Sequence, residues 1–156
     1  MRYLPTVIAL AISAAAIAAP PNPATWKAGQ ILSQSSVDLG HGFRSVHRDQ
    51  VNPPGHWEGV GHFAYLFYNN RSLCQCSIGE FSIAPTGQFV VFVDGPSGKL
   101  MLFHTSSGQM QAVRPRFVGI PESFAWDEAQ GFVRVTFYQN LGNGHPNAKP
   151  ITVSLR

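Results

Sequence analysis

Charge is scarce in this chain: 12% of its 156 residues are charged, with 11 Lys and Arg against 8 Asp and Glu. A formal charge of +3 falls far short of the basic excess by which nucleic-acid binders meet a phosphate backbone, and the densest basic run is "RPR" at 114–116, so no nucleic-acid partner is expected. Cysteine is nearly absent, with Cys74 and Cys76 alone. At this length a core forms without obligatory disulfide staples. Helix-favouring composition is confined to "WDEAQG", Trp126 to Gly131, which is too short to bury an amphipathic face. Enzyme motifs are lacking as well. There is no G-x-S-x-G elbow and no C-x-x-C, and "GPSGK" at Gly95 to Lys99 has neither Walker spacing nor a helix after it.

One long apolar run is present, from Val7 to Ala19, preceded by Arg2 and closed by Pro20, Pro21 and Pro23. It is short for a bilayer-spanning helix, which needs roughly 20 apolar residues, and its small residues Ala16 and Ala18 fit an A-x-A cleavage site. The expectation is a signal peptide over 1–18, an N-terminal extension and first strand over 19–40, and one all-β domain over 41–156. That predicts a bacterial exported protein, periplasmic or secreted, without stable membrane insertion after cleavage.

Beyond the leader, β-branched and aromatic runs alternate with turn chemistry. "HFAYLFY" (62–68), "RSLCQCSI" (71–78), "FVVFV" (89–93), "KLMLFHT" (99–105), "GFVRVTFY" (131–138) and "PITVSLR" (150–156) read as strands. Turns such as "YNNR", "DGPSG" and "TSSG" separate them. Strict alternation in the run after Gly131 places Val133, Val135 and Phe137 on one face and Phe132, Arg134, Thr136 and Tyr138 on the other. The predicted class is all-β and antiparallel, with two to three blade-like meanders forming a partial propeller or a sandwich.

Residues 80–113 run as a strand, the turn "IAPTG", an apolar strand, the turn "DGPSG", a second apolar strand and the turn "TSSG" into an outer strand. That order resembles a β-propeller blade of the TolB-like and WD-repeat type, with Thr86 and His104 standing where that family carries acidic residues. A second unit, "SFAWDEAQGFVRVTFY" to "PITVSLR", echoes it. The spacing is 43 residues from Phe89 to Phe132 and 26 from Phe63 to Phe89. The resemblance implies a stack of blades. About three fit in the chain, too few to close a ring, so the open edge is expected to invite self-association or a strand from a partner.

Chemistry-bearing residues concentrate in "HGFRSVHRDQVNPPGHWEGVGH", where His41, His47, His56 and His62 are candidate metal ligands, zinc above all, if three of them converge. The alternative is scattered histidines on a loop rich in Gly and Pro. Cys74 and Cys76, two apart on a strand, share a face; a disulfide, buried thiols, redox chemistry and an intermolecular bridge are all open to them. Trp57, Arg114 and Arg116 are the candidate partner-binding residues, because exposed aromatics and arginines are favoured at protein interfaces. The expected function is non-catalytic: a protein-binding module of the cell envelope, in its concrete form a periplasmic immunity or inhibitor protein. A metal-dependent hydrolase using the histidine-rich segment and a self-associating structural domain are the alternatives.

Overall fold

The computed structural model describes residues 26–55, 59–114, 116, 118–138 and 149–156. The expected signal peptide, His56 and Trp57 lie outside the described residues. Among the described residues eleven strands form three antiparallel sheets, each a meander in chain order, and none of these sheets closes on itself. The first sheet contains β1 (Ile31–Gly40), β2 (Phe43–Val51), β3 (Val60–Tyr68) and β4 (Arg71–Cys74). The second contains β5 (Phe81–Ile83), β6 (Phe89–Asp94), β7 (Lys99–His104) and β8 (Met110–Arg114). The third contains β9 (Pro121–Asp127), β10 (Phe132–Phe137) and β11 (Ile151–Ser154).

The second sheet is the middle of the stack, and its composition explains why. A sheet buried on both faces has no polar side, so its central strands read as continuous apolar runs. Val90, Phe92 and Phe103 pack toward the first sheet against Phe43, Leu66 and Leu73. Val91, Val93, Leu100 and Leu102 pack the other way, against Val133, Val135, Phe137 and Val153 of the third. Side-chain ties cross both seams. Arg71 donates to the Gly108 carbonyl at 2.7 Å, and the Trp126 indole N–H donates to Ser82 Oγ at 2.8 Å.

The first turns of the three sheets line up along one edge of the molecule. In each, a glycine in the left-handed region precedes the second strand: Gly42 (φ 82°), Gly87 (φ 73°) and Gly131 (φ 75°). Those strands open on Phe43, Phe89 and Phe132, 46 and 43 residues apart. His41 sits against Gly87, and the Thr86 backbone N–H donates to Glu128 Oε2 at 3.2 Å while its hydroxyl donates to Oε1. The carboxylate that meets Thr86 thus comes from the neighbouring sheet.

Four expectations need correction. The second strands of the three sheets open on Phe43, Phe89 and Phe132, so the 26-residue spacing from Phe63 pairs a third strand with a second one. The segment read as a histidine-rich loop is largely strand, because β2 pairs with β3 from Phe43↔Tyr68 to Val51↔Val60. The boundary drawn at 40/41 cuts a two-residue hairpin turn: β1 pairs with β2 down to Gly40↔Phe43 and belongs to the same sheet. The strand expected over 71–78 also stops at Cys74, where the Cys74–Cys76 disulfide turns the chain out of the ladder.

Candidate functional site

The long β2–β3 hairpin carries two sets of functional groups, one on each face. Cross-strand partners share a face, so the register places Ser45, His47, Asp49 and His62 on the side that packs inward and Arg44, Val46, Arg48, Phe63, Tyr65 and Phe67 on the side that looks out.

On the inward side the hairpin outruns the core, and polar groups replace apolar ones. Ser33 Oγ donates to Asp49 Oδ2 at 2.5 Å, and His62 Nδ1 lies 2.6 Å from Asp49 Oδ1. The Ser33 hydroxyl first, and His62 second, hold the Asp49 carboxyl below its usual range, against a smaller opposing effect of burial. With side chains 82% and 41% exposed, the His62–Asp49 pair is a surface contact and adds little to stability. His47 Nε2 lies 3.2 Å from Ser45 Oγ, and a cleft of about 270 Å³ runs past His47, Asp49 and His62. No activated nucleophile results. Ser33 donates to the carboxylate and not to an imidazole, and Ser45, which does contact an imidazole, is fully buried from any substrate.

The described histidines lie apart. His41 is at the β1–β2 turn, about 20 Å of strand from Asp49. Among the described residues no three His, Cys, Asp or Glu side chains stand close enough to hold a metal ion. Cys74 and Cys76 form a disulfide with each other, and both are buried with Phe43 and Leu66. Arg114 ends β8 on the middle sheet and Arg116 follows it, both exposed. Neither lies on the hairpin face that carries Arg44 and Arg48.

Because the folded-state pKa of Asp49 is lowered, its carboxylate contributes stability above the unfolded value near 3.9, and that contribution is lost as pH falls through the folded value. Ser33→Ala and His62→Ala are each expected to raise the Asp49 pKa toward the ordinary range. Carboxyl NMR titration of the two variants checks both, and an unmoved Asp49 in either would remove that residue from the account.

The outward side is the one sequence reasoning missed. Phe63, Tyr65 and Phe67 form a half-buried row along β3, with Val46 beside them at 3% exposure. The Arg44 guanidinium lies 5.2 Å from the Phe67 ring centre, and that of Arg48 lies 5.2 Å from Tyr65 and 5.9 Å from Phe67. Such cation–π contacts stabilise by about 0.5–1 kcal/mol at exposed sites. The signal was a period of two in "FRSVHR" and "HFAYLFY", obscured in the first by its neighbouring His, Gly and Pro.

The opposite end of the stack is finished differently. On the outer side of the third sheet, Arg134 pairs with Thr152 and Ala125, and Ser123 Oγ and Thr136 Oγ1 share a 2.6 Å hydrogen bond. The same side carries Phe132 and the exposed Tyr138; the first sheet differs in gathering three rings and two guanidinium groups into one contiguous cluster. No protein-family model matches the chain, and no curated protein sequence matches it.

Proposed function

We propose that the chain is an exported protein-binding module of the cell envelope, docking its partner on the outer face of the first sheet. The observation that carries this reading is the clustering on one outer face of three rings, Phe63, Tyr65 and Phe67, with the Arg44 and Arg48 guanidinium groups laid over two of them. Aromatic residues and arginine are enriched at protein interfaces, and Tyr and Arg among their dominant residues. The apolar stretch from Val7 to Ala19 supports export, and the blade-like order of strands supports the kinship with propeller repeats. A periplasmic immunity or inhibitor protein is the concrete form we favour, since occluding an envelope enzyme requires a surface and no catalytic groups.

A photo-crosslinking residue at position 65 of the full chain tests this in the producing cell. The expected result is one discrete heavier species, lost when Arg44 and Arg48 are both changed to Glu and not formed from the same probe at position 152. Equal products from both positions, no product, or a species of twice the chain's mass would each overturn the reading.

A further inference from the structure

Arg44 and Arg48 are fixed in place without being neutralised. Arg44 Nη2 donates to Asn70 Oδ1 at 2.9 Å and Arg48 Nε donates to Gln34 Oε1 at 2.8 Å. Both acceptors are neutral amides, so they orient each guanidinium and leave its charge intact. Among the described residues the ion pair closer than 4.0 Å is His62–Asp49, on the other face. Asp38 faces Arg44 across the β1–β2 ladder, yet its Oδ1 accepts from the Gly40 backbone N–H at 2.9 Å.

We propose that these two guanidinium groups form a receptor for a pair of carboxylates on an extended acidic segment of the protein partner, an inference that rests on the docking face proposed above. The spacing sets the ligand. Arg44 and Arg48 lie four positions apart on one strand face, their backbones about 13 Å apart, while both guanidinium carbons lean toward the Phe67 ring, 5.2 and 5.9 Å from its centre. An extended partner segment matches the backbone spacing with Glu residues at i and i+4, whose long side chains can lean together as the two forks do. The residue at i+2 then falls over Val46 and Tyr65, so an apolar side chain fits there. Each planar fork can take a carboxylate bidentately, which an ammonium cannot do. A second copy of this chain fits poorly, because a two-fold contact would bring two such arginine pairs into one interface, and the outer side of the third sheet offers Arg134, another cation.

The test uses short soluble peptides of alternating Thr and Val with two Glu residues at i,i+2, at i,i+4 or at i,i+6, measured against the full chain by fluorescence anisotropy at low ionic strength. The i,i+4 peptide is expected to bind roughly tenfold tighter than the others, and Arg44→Gln or Arg48→Gln to weaken it roughly tenfold each. Arg44→Lys and Arg48→Lys should lose nearly as much, since charge alone does not supply the fork. Unchanged thermal midpoints confirm that each variant folds. Binding that ignores the spacing, binding that survives both Gln substitutions, or no peptide binding at all overturns the inference. So does equal binding of single-stranded oligodeoxythymidylate, since arginines with aromatic rings also suit single-stranded nucleic acid. A partner crosslinked at position 65 beside silent peptides would leave the docking face standing and remove only the carboxylate pair.

Discussion

Phe103→Ala is expected to destabilise the fold by about 3–5 kcal/mol, the range for truncating a fully buried aromatic side chain. Phe103 has no exposed surface and sits on the face of β7 that meets the first sheet. The Tyr68 ring stands edge-on to it at 5.4 Å, and the Arg71 guanidinium lies 5.5 Å from its centre. Truncation therefore opens a cavity at the seam between two sheets and removes a support from the tie that Arg71 makes to Gly108. Against a total stability of about 5–15 kcal/mol for a domain, the loss is severe. Its location is the sharper test. Leu102, next in the chain, points to the third sheet, so Leu102→Ala should cost about 2–5 kcal/mol at the other seam. Urea denaturation gives the totals, and amide exchange separates them: β2 and β3 should lose protection first in the Phe103 variant, β10 and β11 in the Leu102 variant. Equal loosening of both outer sheets in each variant would refute the stacked order of the core.

How much of this was legible in the sequence depends on how many faces of a strand are buried. β6 and β7 lie in the middle sheet, and "FVVFV" and "KLMLFH" are recognisable as strands because neither face needs polar residues. β10 is recognisable for the opposite reason: with one face wet, the buried Val133, Val135 and Phe137 alternate with Phe132, Arg134, Thr136 and Tyr138, none of which is buried. β1 and β2 obey neither pattern. β1 is an edge strand, and most of its side chains are exposed, so "ILSQSSVDLG" has little apolar periodicity to betray it. β2 carries His47, Arg48 and Asp49 where the hairpin extends past the core, so half of its length resembles a loop. The same extension hid the candidate site. Arg44 and Arg48 announce nothing singly; their meaning comes from the register that sets them beside Tyr65 and Phe67. Adjacency in the sequence also conceals distance, since strand β2 separates the turn that bears His41 from the end that faces His62.

Gly87→Ala is the second substitution with a large expected effect, and it tests whether the row of turns holds the sheets in alignment. At φ 73° an L-residue pays roughly 1–2 kcal/mol for the left-handed backbone. A Cβ there would also press into His41 Cγ and stand 2.6 Å from His41 Cβ. Since the second of these lies close to the backbone, rotating the imidazole away does not relieve the contact, and the β1–β2 turn itself must move. Crowding of that kind typically costs about 1–3 kcal/mol, giving a total near 2–4 kcal/mol in urea denaturation. The two contributions separate in a double-mutant cycle. His41→Gly removes the obstructing atoms and leaves the backbone strain at position 87, so in that background Gly87→Ala should cost only the 1–2 kcal/mol of conformation. If the cost is undiminished, the first and second sheets are not braced through this turn. If it falls as expected, the brace is real, and displacing it bears on the whole row: Thr86, the residue before Gly87, holds Glu128 of the third sheet. A side chain at 87 then strains both seams at once, which no truncation confined to one face of the middle sheet can do.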